Sequence, residues 1–497
     1  MNNSEFVNQI NQLVDEHNGY ESPEDIRSYL RSLIFYKYLD LKQQQNSDEV
    51  LGYEIKPEFS WKSIINIASM KTFSLKDIDK AIKDFDTNST HFFTGIFGDL
   101  IRNSHQSQQQ SINKGKLMAE LIKLVDSIDS STTDTQKLVD TFNQLISLSS
   151  ENIRSASDNI YTPKDVTDLL ARIVSANINK QEDTTIYDMT CGSGSLMLTV
   201  GTKASQRTTF YGEDINISAC NLAKMNLIIN GYNYKDITLR VGDSLDEDWP
   251  DTVNSDGQKE PQTFNAVASV PPFSLRWNNS DDRANDPRFV SYGVAPKTKA
   301  DYAFLLQGLY HLNNEGTMVI LLPHGVLFRG AKEKMIRKSL LEKNEIDAII
   351  GLPAGLFNST SIPTVILVLK KNKKSKNVLF IDASKEFQRG KKKNILKESN
   401  IRKIVQIYKD RKELESFSHL ANWEELVKND FNLNIPRYVD TFVPEKSVNL
   451  HKVVEDLEQT NKDIKKVQSE LSALLESFPS KSAKDEERKK AIIKSFD

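Results

Sequence analysis

Three acids and two glycines, each set where a short apolar run ends, are the residues of this chain best placed to hold a ligand. Ile186-Tyr187-Asp188 leads into Met189-Thr190-Cys191-Gly192-Ser193-Gly194-Ser195, an apolar strand that ends in a glycine-containing turn. Glycine allows close backbone approach to a ligand at the carboxyl end of a strand, where a following helix can offer its N–H groups. By itself the turn suits tight strand-to-helix packing equally well. Phe210-Tyr211-Gly212-Glu213-Asp214 then sets an acid about 20 residues beyond Gly194, placed to accept hydrogen bonds from the ribose of an adenosine-containing cofactor. Val241-Gly242-Asp243-Ser244 closes a third run with another acid, suited to the amino group of an adenine ring. Dinucleotides and S-adenosylmethionine (SAM) both remain open. The missing third glycine of the dinucleotide fingerprint favours SAM.

A second constellation follows. Phe264-Asn265-Ala266-Val267-Ala268 is a strand-like run that passes through Ser269 into Val270-Pro271-Pro272-Phe273. Two prolines fix the backbone after the strand, so the carbonyls and the aromatic ring of this turn are held in place.

The elements that must position these residues alternate between short apolar strands and amphipathic helices from about residue 160 onward. Strands are expected at 185–188, 209–212, 237–241, 264–268, 317–322 and 346–350, which implies crossover units and a mostly parallel sheet. Pro363–Leu369 and Asn377–Asp382 are close together and are expected to form an antiparallel edge of the same sheet. Residues 1–150 carry helical spacing instead, as in Phe6, Ile10, Leu13 and Val14, and read as a helical N-terminal domain with polar breaks at 107–111 and 127–135. Residues 151–444 form the α/β domain. Residues 445–497 form a C-terminal helical arm and tail: Leu450, Leu457, Ile464, Leu471 and Phe478 recur every seventh residue, with Val453, Thr460, Val467 and Leu474 at the second seam position. So narrow a seam is expected to face a partner helix, and the Ser/Lys/Glu-rich stretch after Pro479 is expected to be mobile.

Taken in order, these motifs resemble those of the modification (methyltransferase) subunit of type I restriction-modification systems, a SAM-dependent adenine-N6 DNA methyltransferase. Tyr161-Thr162-Pro163 resembles the family's upstream cofactor motif, near the methionine end of SAM. Asp188 to Gly194 resembles its glycine turn, and Asp214 with Ile215-Asn216 its ribose-binding strand and helix. Leu322-Pro323-His324-Gly325-Val326-Leu327-Phe328, Gly351-Leu352-Pro353 and Asn432 to Tyr438 also read as family sequence. The resemblance implies a Rossmann-like methyltransferase fold, with cofactor contacts from Tyr161, Thr162, Pro163, Asp188, Gly192, Ser193, Gly194, Asp214 and Asp243. It further implies DNA as substrate, one specificity subunit and a second copy of the chain as partners, and a restriction subunit that can join them.

The turn at 270 departs from the family's catalytic pattern, [Asn/Asp]-Pro-Pro-[Tyr/Phe]. In that pattern the first side chain and a neighbouring backbone carbonyl accept the two hydrogens of the target amine, and the aromatic stacks on a base flipped out of the duplex. Val270 has no acceptor, whereas Pro271, Pro272 and Phe273 keep the turn and the ring. Three readings follow: a nearly inactive enzyme, a substitute acceptor such as Ser269 or Asn265, or an altered residue 270. The rival is a scaffold that binds SAM and DNA with little turnover.

Composition sets the remaining bounds. A chain of 497 residues with 38% hydrophobic side chains is folded and holds more than one core. No apolar run reaches the length of a membrane span, and the N-terminus has no leader pattern, so the chain is expected in the cytoplasm. Two cysteines exclude a disulfide framework, and no cluster has metal-ligand spacing. With a net charge of −3, any DNA contact must come from local basic patches or a partner. Lys370–Lys376 and Lys391–Lys393 are the candidate patches, His324 reads as structural, and no Walker-type phosphate loop is present, so ATP-driven work falls to another subunit.

Overall fold

The computed structural model describes residues 3–17, 21–45, 50–101, 108–151, 161–179, 181–204, 207–358, 360–440, 450–480 and 482–496. Met1–Asp440 form one compact unit and Thr441–Asp497 a second. The boundary expected at 444/445 lies outside the described residues.

The N-terminal part is helical: α1 (Asn3–Glu16), α2 (Pro23–Gln45), α3 (Trp61–Ala68), α4 (Leu75–Thr87), α5 (Gly98–Ile101), α6 (Gln108–Asp126) and α7 (Gln136–Glu151). The polar stretch 108–111 belongs to α6, while Ser107 lies outside the described residues. At the centre is α2, buried on every side from Ile26 to Asp40, which a lone amphipathic stripe would not require. Its buried Lys37 donates to the carbonyls of Val125, Asp126 and Ile128, at 3.2, 3.2 and 3.0 Å, and so satisfies the C-terminal end of α6.

From Thr184 the chain alternates strand and helix. The strands are β1 (Thr184–Asp188), β2 (Thr208–Asp214), β3 (Ile237–Val241), β4 (Asp251–Val253), β5 (Lys259–Pro261), β6 (Phe264–Ser269), β7 (Leu312–Pro323), β8 (Ile346–Gly351), β9 (Thr364–Leu369), β10 (Val378–Asp382), β11 (Gln388–Arg389), β12 (Asn394–Ile395) and β13 (Ser418–Ala421). Nine of them form one sheet in the order β13-β10-β8-β9-β7-β6-β1-β2-β3, while β4 with β5 and β11 with β12 make separate hairpins. The helices here are α8 (Lys164–Ser175), α9 (Ser195–Gly201), α10 (Ile217–Ile229), α11 (Asp301–Tyr310), α12 (Ala331–Glu342), α13 (Glu398–Asp410) and α14 (Trp423–Lys428).

The sheet is mostly parallel, as expected, but its antiparallel part differs from the expectation. β9 is not at an edge: it is inserted between β7 and β8, antiparallel to both, and each of its six residues is buried. β10 runs parallel to β8, and the edge is β13, a strand of four residues that the apolar pattern does not announce. Val365-Ile366-Leu367-Val368 has no polar alternation, which is what a strand covered on both faces requires. One continuous core joins the helical domain to the sheet face under α8, α9 and α10, and a second core fills the other face under α11, α12 and α14.

The second unit holds α15 (Leu450–Ser477) and α16 (Ala483–Lys494). The stretch after Pro479, expected to be mobile, is therefore helical from Ala483, with Ser482 capping its start through Asp485 N–H. No residue of α15 is buried, and the seam residues Leu457, Ile464 and Val467 are 59%, 49% and 61% exposed.

Candidate functional site

β1 is the strand from which the sheet grows in both directions, toward β2 and β3 on one side and β6 and β7 on the other. Open α/β sheets bind ligands in the crevice outside the carboxyl ends of the strands at such a switch point. The glycine turn sits there. Gly192 and Gly194 have φ of +51° and +72°, the left-handed region that a side chain disfavours. A Cβ on Gly194 would also stand 3.0 Å from the Cβ of Ala223 on α10, so the turn needs glycine for packing as well. Cys191 N–H donates to Glu213 O at 2.8 Å and Gly192 N–H to Asp214 Oδ2 at 3.0 Å, which fastens the turn to the end of β2.

Asp188, at the end of β1, is buried and accepts from Thr190 N–H at 3.0 Å and from the Ser269 hydroxyl at 2.7 Å. Burial pushes its carboxyl up to about 7. Ser269 Oγ also lies 2.7 Å from Thr190 Oγ1, so the ends of β1 and β6 are locked together directly beneath Val270. One cavity results, lined by Thr162, Asp188, Thr190, Cys191, Gly192, Ser193, Ser195, Leu196 and Val270. Residues from three separate sequence stretches thus meet at one place.

Other expected site residues lie around this cavity rather than in it. Asp214 uses Oδ1 for Asn216 N–H at 2.8 Å and Oδ2 for Gly192 N–H, leaving further lone pairs for a ligand, and burial raises its pKa. Asp243 is exposed and accepts from Leu245 N–H at 3.0 Å. Tyr161 is buried, with its hydroxyl donating to Glu24 Oε1 of α2 at 2.8 Å, and Pro163 is the N-cap of α8. Phe273 meets the ring of Phe357 edge-on, with centroids 5.7 Å apart. Ser274, next in the chain, has φ of +53° and is pinned by its N–H to Asp301 at 2.8 Å.

Two residues named as substitute acceptors are engaged elsewhere. Asn265 stands at the opposite end of β6, where its Oδ1 accepts from Thr185 N–H and Thr185 Oγ1, both at 2.9 Å. Ser269 is fully buried between Asp188 and Thr190.

The two basic runs separate. Lys371 and Lys373 turn their ammonium groups onto backbone carbonyls, Tyr310 and Leu312 for the first and Ile346 and Asn377 for the second, at the amino ends of β7 and β8, away from the cavity. Burial lowers the pKa of Lys373 to about 8. Lys391–Lys393 instead form the tip between β11 and β12, and Asn394 ties that hairpin to the carbonyls of Gly355 and Ala354, both at 2.8 Å, in the loop that carries Phe357. His324 is partly exposed near Phe328, and burial lowers its pKa. Among the described residues no group of three His, Cys, Asp or Glu could hold a metal, and no helix is long and apolar enough to cross a membrane.

Residues 133–447 match the family described as N-6 DNA Methylase. The chain belongs to that family. Residues 6–125 match the HsdM N-terminal domain. The Type I restriction enzyme MpnII methylase subunit of Mycoplasma pneumoniae is 30% identical, over 91% of this chain and 93% of the relative. The MjaVII methylase subunit of Methanocaldococcus jannaschii is 30% identical over 72% of this chain and 63% of that relative. Among solved structures, the type I restriction-modification methyltransferase subunit from Streptococcus thermophilus matches with a TM-score of 0.79 and 35% identity, covering 88% of this chain and all of that one. This N-6 DNA methylase therefore has SAM as its cofactor, and its sheet is that of the SAM-dependent methyltransferases.

The residues present fit SAM. Gly192 lines the cavity with no side chain of its own, and Asp214, hydrogen-bonded to the Gly192 N–H, keeps further acceptor capacity beside it. Ile215 and Ile217, 74% and 55% exposed, form an apolar ledge beside Asp214 of the kind a flat ring would cover. In the sequence Ile215 and Thr190 stand inside the quoted motifs without a role of their own, and Ile217 is not named as a site residue. The ledge's only signal is an isoleucine at the strand end, followed by the Asn216 N-cap of α10.

Proposed function

We propose that this N-6 DNA methylase is a type I restriction-modification methyltransferase subunit that transfers the methyl group of SAM to adenine N6 in DNA, with turnover limited by Val270. The observation that carries this reading is the cavity that joins Thr162, the Asp188–Ser193 turn and Val270 in a chain of this family. When bound, SAM supplies a methyl group on a sulfonium. The chain's own residues would do the rest. Gly192, Ser193 and Gly194 would lie beside the amino-acid part, Asp214 would take the ribose, Asp243 the adenine amine, and Thr162, held in place by its neighbours Tyr161 and Pro163, would close the far side.

Phe273 stacks on the flipped target adenine, and the Pro271-Pro272 turn aims a backbone carbonyl at its amine. With SAM bound, the amine held there would take the methyl group from the sulfonium, leaving the sulfur as a neutral thioether, and the proton the amine gives up would pass to solvent. With valine at 270, one of the two amine hydrogens has no side-chain acceptor, and loss of a positioned polar group of comparable kind costs about 10²–10³ in rate. The partners follow the family resemblance: one specificity subunit, a second copy of this chain and a restriction subunit, in the cytoplasm, with α15 as the arm that docks. Calorimetry with SAM and a search for N6-methyladenine in DNA incubated with the assembled complex test the reading. Absence of SAM binding overturns it.

A second reading has its own observation. Ser269 and Asn265, the polar side chains of β6, already spend their hydrogen bonds on Asp188, Thr190 and Thr185. With neither of these two free to act as a substitute acceptor, the chain would serve as a SAM- and DNA-binding scaffold of the same complex with little turnover.

A further inference from the structure

The wall of the cavity at Thr162 is tied to the helical domain through the carboxylate of Glu24. Thr162 lines the cavity, and Tyr161 immediately before it faces away, with 8% of its surface exposed. Its hydroxyl donates to Glu24 Oε1 at 2.8 Å, the same oxygen that accepts from Arg31 at 2.8 Å. The other oxygen, Oε2, accepts from Ser149 of α7 at 2.8 Å and from Arg27 at 3.5 Å. Arg31 is buried, donates to Ser149 at 3.0 Å, and lies 5.9 Å from the centroid of the Tyr161 ring. Glu24, Arg27 and Arg31 share one face of α2 because they are three and four residues apart.

This arrangement has a division of labour. A buried guanidinium needs a counter-charge, and Glu24 supplies it whatever Tyr161 does. The tyrosine hydroxyl is therefore not required for that pair; it spends its hydrogen bond on joining residue 161 to the helical domain. Downstream, Pro163 caps α8, and its carbonyl accepts from the N–H and hydroxyl of Thr167 at 2.9 and 3.1 Å. Thr162 is thus held between two anchors, α8 on one side and the Glu24 carboxylate on the other.

We propose that Glu24 is a positioning residue for the cofactor: through Tyr161 it holds the Thr162 wall in its binding-competent place, so that SAM affinity depends on the helical N-terminal domain. The inference rests on the reading that this cavity is the SAM site. Burial keeps the Tyr161 phenol protonated, with its pKa well above the ordinary value, so it stays a donor across the physiological range. Burial opposes the charge on Glu24, but Arg31 and the hydrogen bonds outweigh it and hold the carboxyl below its usual range. Affinity falls in proportion to the fraction of molecules with the wall in place, so loosening one anchor lowers SAM affinity without removing a SAM contact.

The test is SAM titration calorimetry on the full-length chain for the wild type, Tyr161→Phe, Glu24→Gln and the double variant, with melting curves recorded without SAM. Tyr161→Phe leaves the Glu24–Arg31–Ser149 pairings intact, so it should melt close to the wild type yet bind SAM about fivefold or more weakly. The double variant should bind no more weakly than the weaker single one, because both cut the same link. Wild-type SAM affinity in folded Tyr161→Phe overturns the proposal, as do fully additive effects in the double variant. Failure of the wild type itself to bind SAM overturns the reading of the cavity and this inference with it.

Discussion

Replacing Val270 by Asn should raise methyl transfer about tenfold. The side chain at 270 borders the cavity and, like Phe273 and Phe357, is partly buried against the core that joins the helical domain to the sheet. Valine and asparagine are similar in volume, and Pro271 and Pro272 already fix the turn, so the backbone has no reason to move. The gain is one positioned acceptor for an amine hydrogen. Comparable groups in preorganised sites supply about 2.7–4 kcal/mol. Against this stands the desolvation of a carboxamide whose inner face meets apolar neighbours, about 1–3 kcal/mol where it finds no partner.

The midpoints of the two ranges leave a net gain of about 1.4 kcal/mol, one factor of ten. Ser269 and Thr190 offer hydroxyls close by, yet both are committed to the Asp188 lock. The assay is initial-rate transfer of labelled methyl from SAM to adenine N6 by the complex with its specificity subunit, alongside SAM calorimetry to show that the cofactor site is unchanged. Equal and substantial rates for the two proteins would refute the reasoning, since some other acceptor would then be at work. Equal absence of transfer with SAM bound would place the defect beyond one side chain.

Three further outcomes are expected. Asp188 and Glu213 have folded-state pKa values raised by burial to about 7 and about 8, above the unfolded values near 4; their contribution to stability is complete below about pH 4 and is lost as pH rises through 7 to 8, so melting temperature should fall across that window, and Asp188→Asn should flatten the lower part of the fall. Neutralising Arg389, Lys391 and Lys392 at the exposed hairpin tip should reduce the salt slope of DNA binding by about 2–3, close to one per lost phosphate contact; the same change at Lys371 and Lys373 should lower the melting temperature and leave that slope alone. Lysine at Leu457, Ile464 and Leu471 should abolish co-purification with the specificity subunit while the melting of residues 1–440 stays unchanged, and retention of the partner would show that the α15 seam is not its docking face.

What the sequence determined by itself is what local spacing controls. The glycine turn after β1, the acid after β2 and the proline turn after β6 were legible because strand period, chain reversal and left-handed glycine are written within a few residues. The heptads of α15 were legible for the same reason. Tertiary structure decided which of these marks converge. That Val270 shares a cavity with Thr162 and Cys191, that Ser269 is consumed by Asp188, and that Asn265 lies at the far end of its strand all depend on strand order and register, which no local pattern encodes. β9 shows the same limit. Its buried run reads as a strand, but its place between β7 and β8 comes from which neighbours cover both its faces. The two lysine runs look alike in sequence; only the pairing of β9 with β7 and the tie from Asn394 to Gly355 send them to opposite ends of the sheet. Tyr161 is the sharpest case, because a motif residue expected at the cofactor turns its hydroxyl to Glu24, more than a hundred residues earlier, for reasons that exist only once α2 is packed in place.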